Sequence, residues 1–119
     1  MLIDIGHWQT DQTIDTKKYV GFVYMINNNA DGRKYIGRKK YKVKKKKDDW
    51  RTYTGSCKEL NEDIKRLGKD KFTFIILKQY ETGPELNYAE AKLIMMVDAI
   101  FERSYYNQMI FLRTKGKKK

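Results

Sequence analysis

A predicted β-hairpin near the start of the chain constrains the fold more than any other feature of the sequence. Residues 19–26 are rich in aromatic and β-branched side chains, which is typical of a strand. Residues 27–32 are mostly Asn, Asp and Gly, which tolerate the dihedral angles of turns, and they end in Asp-Gly. A second strand is predicted at 33–37, so we expect the two strands to pair antiparallel around a short loop.

A helix and a third strand are predicted next. Ser56, with Glu59 three residues later, forms a capping-box pattern that favours a helix start. Apolar side chains then recur on one helical face up to residue 67, and Gly68 is well placed to end the helix. Residues 72–80 show the strongest strand pattern in the chain, and we expect this strand to be central in the sheet.

A second helix, from about residue 85 to residue 102, is predicted after the start signal Gly83-Pro84. Its inner face is predicted to consist of Leu86, Leu93, Ile94, Val97 and Phe101. Residues 104–112 would form a short closing element. The order β-β-α-β-α predicts an α+β fold, with a small antiparallel sheet of about three strands flanked by helices. We expect an N-terminal arm or extra strand at 1–18, one domain at 19–112 and a basic tail at 113–119.

The charge of the chain indicates a polyanionic partner. Its 119 residues include 26 Lys and Arg against 15 Asp and Glu, which gives a formal net charge of +11. Nucleic acid is the first candidate and an anionic membrane surface the second. Eight basic residues follow the second predicted strand, and we expect them to contact the phosphate backbone of a nucleic acid: Arg38, Lys39, Lys40, Lys42, Lys44, Lys45, Lys46 and Lys47.

Several function classes are excluded or disfavoured. Cys57 is the single cysteine, so an intrachain disulfide and a cysteine-based zinc site are excluded. No apolar run approaches the ~20 residues that a membrane span needs. The N-terminus lacks the basic start and apolar stretch of a signal peptide. We therefore expect a soluble cytoplasmic protein without a membrane partner or a small-molecule cofactor.

Glu90 is the most unusual residue of the second helix. It stands four residues after Leu86 and four before Ile94, inside the apolar stripe. A buried carboxylate is costly unless it is paired, neutralised or bound to a metal. The residues alone leave two alternatives open, a structural ion pair and a metal ligand.

Two tyrosines lie on the predicted hairpin strands. Tyr24 and Tyr35 are eleven residues apart, so their phenols either meet on one face or fill a core. A tyrosine is a poor base, with an unperturbed pKa of about 10. It serves as one only where cations or a metal-bound hydroxide share its proton.

These residues resemble the paired motif of the GIY-YIG nucleases. Phe22-Val23-Tyr24 is similar to the first motif, with Phe and Val where Gly and Ile are usual, and Tyr35-Ile36-Gly37 matches the second. Glu90 within residues 87–94 and Tyr106-Asn107 match two later features of the family. The resemblance covers about residues 19–110 and is closest to small, stand-alone phage-type members.

The resemblance implies a metal-dependent DNA endonuclease that hydrolyses phosphodiester bonds. Glu90 would bind the single ion, Mg²⁺ or another divalent cation such as Mn²⁺. Tyr24 and Tyr35 would act on the attacking water, and Asn107 would support the site by hydrogen bonding. The family usually has an arginine after the second motif, often followed by a histidine, and this chain departs from that pattern.

Three residues are candidates for the cation that holds the phosphate: Arg51, Lys40 and Lys45. Arg51 is favoured because its planar fork can hold two phosphate oxygens. The only histidine, His7, is interpreted as structural or idle. A non-catalytic basic nucleic-acid-binding module is the alternative function, in which Glu90 is a structural ion pair and the tyrosines stack on bases. A homodimer is a possible arrangement for double-strand cleavage.

Overall fold

Four strands and two helices make up the regular structure in a computed structural model, which describes residues 3–43 and 49–110. The strands are β1 (Trp8–Gln9), β2 (Gly21–Asn28), β3 (Lys34–Lys40) and β4 (Phe72–Tyr80). The helices are α1 (Lys58–Leu67) and α2 (Gly83–Met96). Two 3₁₀ turns, at Trp50–Thr52 and Lys69–Lys71, complete the assignment. Within the described ranges, no helix is long and apolar enough to cross a lipid bilayer.

The sheet confirms the predicted α+β fold but contains one more strand than expected. Its strand order is β1-β4-β2-β3, with β2 antiparallel to both neighbours and β1 parallel to β4. The expectation of a small antiparallel sheet of about three strands is corrected by β1, which pairs parallel with β4 and lies in the segment where an arm or an extra strand was expected. This two-residue strand is too short to give a periodic signal, and the buried Trp8 anchors it beside Phe74.

The edge strand β3 extends three residues further than predicted. The sequence favoured a loop from residue 38 onward because the basic run begins there. Arg38, Lys39 and Lys40 instead pair with Val23, Phe22 and Gly21 of β2. Alternate residues of a strand point to opposite faces of the sheet. The first basic residues are therefore held in a fixed register rather than in a loop.

The two faces of the sheet carry different cores. Helix α1 covers one face, hereafter the α1 face, where the buried residues are largely aromatic and include Trp8, Phe22, Tyr24 and Trp50. Helix α2 covers the other, hereafter the α2 face, where the buried residues are aliphatic. Its core consists of Val23, Ile36, Leu86, Ile94 and Ala99.

Helix α1 begins one residue later than its capping-box pattern predicted. Cys57 occupies the N-cap without a side-chain hydrogen bond. The Asn61 amide instead donates to the carbonyl oxygens of Gly55 and Cys57, both at 3.0 Å. Glu59 pairs with Arg33 rather than with the cap. The helix ends before Gly68, as predicted, because Gly68 adopts a φ of 96°.

Helix α2 ends at Met96, six residues earlier than predicted. Val97 caps it, and Asp98 has a φ of 54°, which is incompatible with helical continuation. Leu86 and Ile94 are buried as expected, and Leu93 and Val97 are half-buried. The prediction for Phe101 was wrong: its side chain is 83% exposed, because the chain leaves the helix before reaching it.

A closing segment, residues 104–107, runs along the outer edge of β3. Tyr105 forms a parallel bridge with Lys34, and the Tyr106 amide donates to the Lys34 carbonyl at 2.7 Å. The Asn107 side chain bonds to both backbone groups of Ile36, accepting from its amide at 2.9 Å and donating to its carbonyl at 2.8 Å. The segment thus supplies hydrogen bonds that an exposed edge strand would lack.

A buried polar network fixes this segment to α1. The Tyr106 hydroxyl donates to Asp63 at 2.7 Å and accepts from Asn28 at 2.9 Å. Arg33 and Arg66 pair with the same carboxylate at 2.7 and 3.1 Å. These five residues are hereafter the Asp63 cluster. The hydrogen bond from Tyr106 and the two arginines lower the pKa of Asp63, so its ionised form stabilises the fold.

Candidate active site

A cleft of about 740 Å³ opens at the edge of the sheet beside β3. Its walls come from both faces of the sheet, the loop before α1, helix α2 and the closing segment. The polar and charged side chains of the lining that could take part in catalysis or binding include Tyr24, Tyr35, Arg38, Lys39, Lys40, Tyr53, Ser56, Glu90 and Asn107. Four of the five residues predicted as catalytic therefore line one cavity, and Arg51 is the exception.

The hairpin register brings the two motif tyrosines together. Tyr24 pairs with Gly37 and Ile26 pairs with Tyr35, so both phenols lie on the α1 face as diagonal neighbours. Their ring centroids are 6.2 Å apart. A Cβ atom at position 37 would lie 2.3 Å from the Tyr24 hydroxyl oxygen. Gly37 is therefore required for the Tyr24 ring to lie across β3 and reach the sheet edge.

The two phenols differ in their environment. Burial raises the pKa of Tyr24 well above its usual value, and the nearby Tyr35, Tyr53 and Glu90 raise it further. Burial also raises the pKa of Tyr35, but a hydrogen bond from Ser56 opposes this effect. Both tyrosines are protonated at neutral pH. Tyr35 is the better placed of the two to share a proton, because one contact stabilises its ionised form.

The loop before α1 holds both rings and was not identified from the sequence as part of the site. Gly55 has a φ of 84°, and a Cβ atom there would lie 3.0 Å from the Tyr24 hydroxyl and from the Tyr35 ring. Ser56, interpreted from the sequence as a helix cap, bonds to Tyr35 instead. The Tyr53 ring stands edge-on to Tyr24, with centroids 6.1 Å apart. The spacing Tyr-x-Gly-Ser was visible, but its contact with the hairpin was not.

Glu90 reaches the same cleft from the opposite face of the sheet. Its side chain pairs with Arg38 at 2.5 Å and is 11% exposed. Burial raises the pKa of the Glu90 carboxyl, and Arg38 partly opposes this rise. The negative charge of Glu90 contributes to the raised pKa of both Tyr24 and Tyr35. These four residues are hereafter the Glu90 cluster.

The donor set around Glu90 fits a hard divalent cation held by few protein ligands. Within residues 3–43 and 49–110, no three His, Cys, Asp or Glu side chains gather into a metal-binding group. Glu59 and Glu62 also line the cleft, but they do not gather with Glu90 into such a group. A carboxylate such as Glu90 in an open cleft suits Mg²⁺, which retains several waters and commonly uses one or two carboxylates. It does not suit zinc, which takes three or four protein ligands that are mostly histidine nitrogen or cysteine sulfur.

Comparison with known proteins identifies the family of this chain. The family model described as "Putative endonuclease segE, GIY-YIG domain" matches residues 7–110. The chain belongs to the GIY-YIG family. A curated relative of the same name, from Enterobacteria phage T4, is 36% identical over 87 residues, which is 72% of this chain and 39% of the relative. The match thus spans about two fifths of that relative's length. No solved structure matches the chain.

This GIY-YIG domain does not bring Arg51 to the cleft. Its Nε donates to the Asp4 carbonyl at 2.9 Å, and its guanidinium pairs with Asp49 at 3.3 Å. The same group stacks 4.8 Å from the Trp50 ring centroid. Arg51 therefore fastens the N-terminal segment to the 3₁₀ turn, a contact between distant parts of the chain that sequence spacing does not reveal.

The first cations of the basic run line the GIY-YIG cleft. Arg38 points to the α2 face, where it meets Glu90, whereas Lys39 points to the α1 face with the tyrosines. Lys40 is exposed at the end of β3, and Lys42 is exposed just beyond it. The predicted DNA contacts at Lys44, Lys45, Lys46 and Lys47 lie outside the described residues.

Asn107 and His7 are both held by protein contacts. The side-chain oxygen and nitrogen of Asn107 both form hydrogen bonds with Ile36, the residue between Tyr35 and Gly37, so Asn107 secures the motif strand.

His7 stacks on Phe74 with ring centroids 3.9 Å apart. Burial lowers the pKa of His7 to about 4, and its ring is neutral at pH 7. His7 does not line the cleft.

Proposed function

We propose that the chain is a metal-dependent DNA endonuclease that hydrolyses phosphodiester bonds in the cleft beside β3. The observation that carries the proposal is the convergence of Glu90, Tyr24 and Tyr35 on one cavity from three different elements. Membership of the GIY-YIG family and the endonuclease name of the phage relative support the same conclusion.

In this proposal Glu90 holds a divalent cation, Mg²⁺ or Mn²⁺, which supplies positive charge to the leaving oxygen when bound. Tyr35 orients the attacking water, because its hydroxyl is less deeply buried than that of Tyr24 and its ionised form receives a hydrogen bond from Ser56. Tyr24 packs behind it and fixes its position. Hydrolysis adds one water across the phosphodiester and yields a phosphate monoester and a free hydroxyl.

The DNA backbone would lie along the outer end of β3. Arg38 and Lys40 stand at the rim of the cleft, and Lys42 extends the basic surface beyond it. Contacts of lysine and arginine with phosphates give affinity without sequence information. The net charge of +11 favours rapid, salt-sensitive association with a polyanion.

The test is nicking of supercoiled plasmid DNA by the purified chain with Mg²⁺ or Mn²⁺, compared with Glu90→Gln. Removing the metal ligand should lower cleavage by about 10³-fold or more, since a catalytic cation contributes several kcal/mol to the transition state. DNA affinity should be retained. Glu85→Gln, in the first turn of the same helix, is the matched control and should cleave normally.

Two results contradict the proposal. Active Glu90→Gln protein would remove the metal-binding role of this residue. Wild-type protein that binds DNA tightly but leaves it intact with every divalent cation would favour the alternative, a non-catalytic nucleic-acid-binding module.

A further inference from the structure

We propose that Lys39 is a catalytic residue of this cleft, whose ammonium contacts the scissile phosphate and neutralises the charge that develops on its non-bridging oxygens. The inference rests on the proposed nuclease function. It assigns the role of the phosphate-holding cation, which the sequence favoured for Arg51, to Lys39. In the sequence Lys39 was indistinguishable from the other lysines of the basic run.

The register of β3 places Lys39 on the same face as the tyrosines. Lys39 follows Gly37 by two residues and Tyr35 by four, so all three point to the α1 face. The Lys39 ammonium lies 4.4 Å from the Tyr53 ring centroid. The Tyr53 ring in turn contacts Tyr24. The ammonium thus joins the group of phenols that includes the water-orienting Tyr35.

Burial separates Lys39 from the other residues of the basic run that the structure describes, Arg38, Lys40 and Lys42. Lys39 is 6% exposed, whereas its neighbour Lys40 is exposed and Arg38 retains 35% of its side-chain exposure. Lysine is rarely buried unless its charge is compensated. The Tyr53 ring face supplies part of that compensation. A lysine that serves only to follow the DNA backbone has no need of such a position.

The other cations near the cleft, among the described residues, are placed for different tasks. Arg51 is outside the cavity and holds the N-terminal segment. Arg38 is on the α2 face and bonds to Glu90. Lys58 is exposed at the start of α1. Lys39 is thus the buried cation on the tyrosine side of the cavity.

The chemistry suits a fixed point charge. As the bond from the water oxygen to phosphorus forms and the bond to the leaving oxygen breaks, negative charge rises on the two non-bridging oxygens. An ammonium held nearby stabilises that charge without reorganisation, and lysine is a common phosphate partner of this kind. Lys39 keeps its proton throughout, so the overall reaction is still the addition of one water.

The experiment compares wild type, Lys39→Met, Lys39→Arg and Lys78→Met. Lys78 is a matched control, because it also lies on a strand with its ammonium over a tyrosine ring, 5.5 Å from Tyr80, but does not line this cleft. Single-turnover cleavage is measured at saturating protein, Kd by fluorescence anisotropy with Ca²⁺, and Tm by circular dichroism.

Lys39→Met should slow single-turnover cleavage by about 10²–10³-fold, the usual loss on removing one group that stabilises the transition-state charge. Its Kd and Tm should change little. Lys39→Arg should recover at least part of the rate, and Lys78→Met should match wild type. Lys39→Met that cleaves at the wild-type rate, or that weakens binding alone, overturns the inference while the nuclease function stands. Absence of cleavage by wild type overturns both.

A second measurement covers the case in which Lys39→Met fails to fold. The side-chain ¹⁵Nζ signal of Lys39 in the wild type, assigned with Lys39→Arg, should move when duplex DNA is added in Ca²⁺. A signal that is unchanged at saturating DNA overturns the inference.

Discussion

The Asp63 cluster and the Glu90 cluster have the same chemical composition, a carboxylate with arginine and tyrosine, yet they differ in what surrounds the carboxylate. In the Asp63 cluster three donors converge on one carboxylate, and the tyrosine that provides one of them also accepts a hydrogen bond. In the Glu90 cluster a single arginine bonds to the carboxylate, and the tyrosines stand across the cleft.

The pKa values of the two carboxyl groups are shifted in opposite directions. Hydrogen bonds and arginines lower the pKa of Asp63, so ionisation of this group stabilises the folded state. Burial raises the pKa of Glu90 despite Arg38, so its ionised form is held at a cost to the fold. A buried carboxylate whose charge is only partly compensated by hydrogen bonds and ion pairs is suited to bind a cation, whereas a fully bonded one is not. We therefore expect the Asp63 cluster to contribute to stability and the Glu90 cluster to contribute to chemistry.

Replacing one tyrosine hydroxyl in each cluster should separate these roles most strongly. Tyr35→Phe should slow DNA cleavage by about 10²-fold or more, because it removes the group proposed to orient the water, with little change in Tm. Tyr106→Phe should destabilise the fold by about 1–2 kcal/mol, because Asp63 and Asn28 lose a buried partner. Single-turnover cleavage and urea unfolding measure the two effects. Equal losses of cleavage in both variants, below their unfolding transitions, would contradict the division.

Much of the Glu90 cluster could be predicted from the sequence because its signals are local. The apolar stripe around Glu90 identified a buried carboxylate, and the hairpin placed Tyr24 and Tyr35 on paired strands. Strand alternation and helical spacing act over a few residues and survive in the fold. The same reasoning gave β4 with its observed ends, Phe72 and Tyr80.

The features of the fold and the site that could not be predicted depend on contacts between residues far apart in the chain. Arg51 bonds to Asp4 across 47 residues, and Asp63 bonds to Tyr106 across 43. Ser56 has the spacing of a helix cap but bonds to Tyr35 on the hairpin. Lys39 could not be distinguished from its basic neighbours, because only the extended β3 gives it a buried side. These placements follow from packing, which no short spacing encodes.

Replacing the carboxylates of Asp63 and Glu90 one at a time by amides should distinguish the two clusters by their effect on the free energy of unfolding. Asp63→Asn should lower the free energy of unfolding by about 2–3 kcal/mol, since it leaves Arg33 and the Tyr106 hydroxyl with a weakened partner in a largely buried setting. Glu90→Gln should leave this free energy unchanged or higher, because it removes a carboxylate whose ionisation burial opposes. Urea unfolding at pH 7 gives both values. A larger loss for Glu90→Gln than for Asp63→Asn would reverse the assignment.

Acid titration of stability provides the smallest and most specific test of the Asp63 cluster. In the folded protein the pKa of Asp63 is lowered below its usual value of 3.8. The stabilisation is therefore fully present above about pH 3.8 and is lost as the pH falls through the folded pKa. The difference in unfolding free energy between wild type and Asp63→Asn should be constant from neutral pH down to about pH 5 and shrink progressively below pH 4, with a slope that cannot exceed about 1.4 kcal/mol per pH unit. Urea unfolding of both proteins across this range measures the difference. A gap that stays constant into strong acid would show that packing of the side chain, and not its charge, stabilises the closing segment.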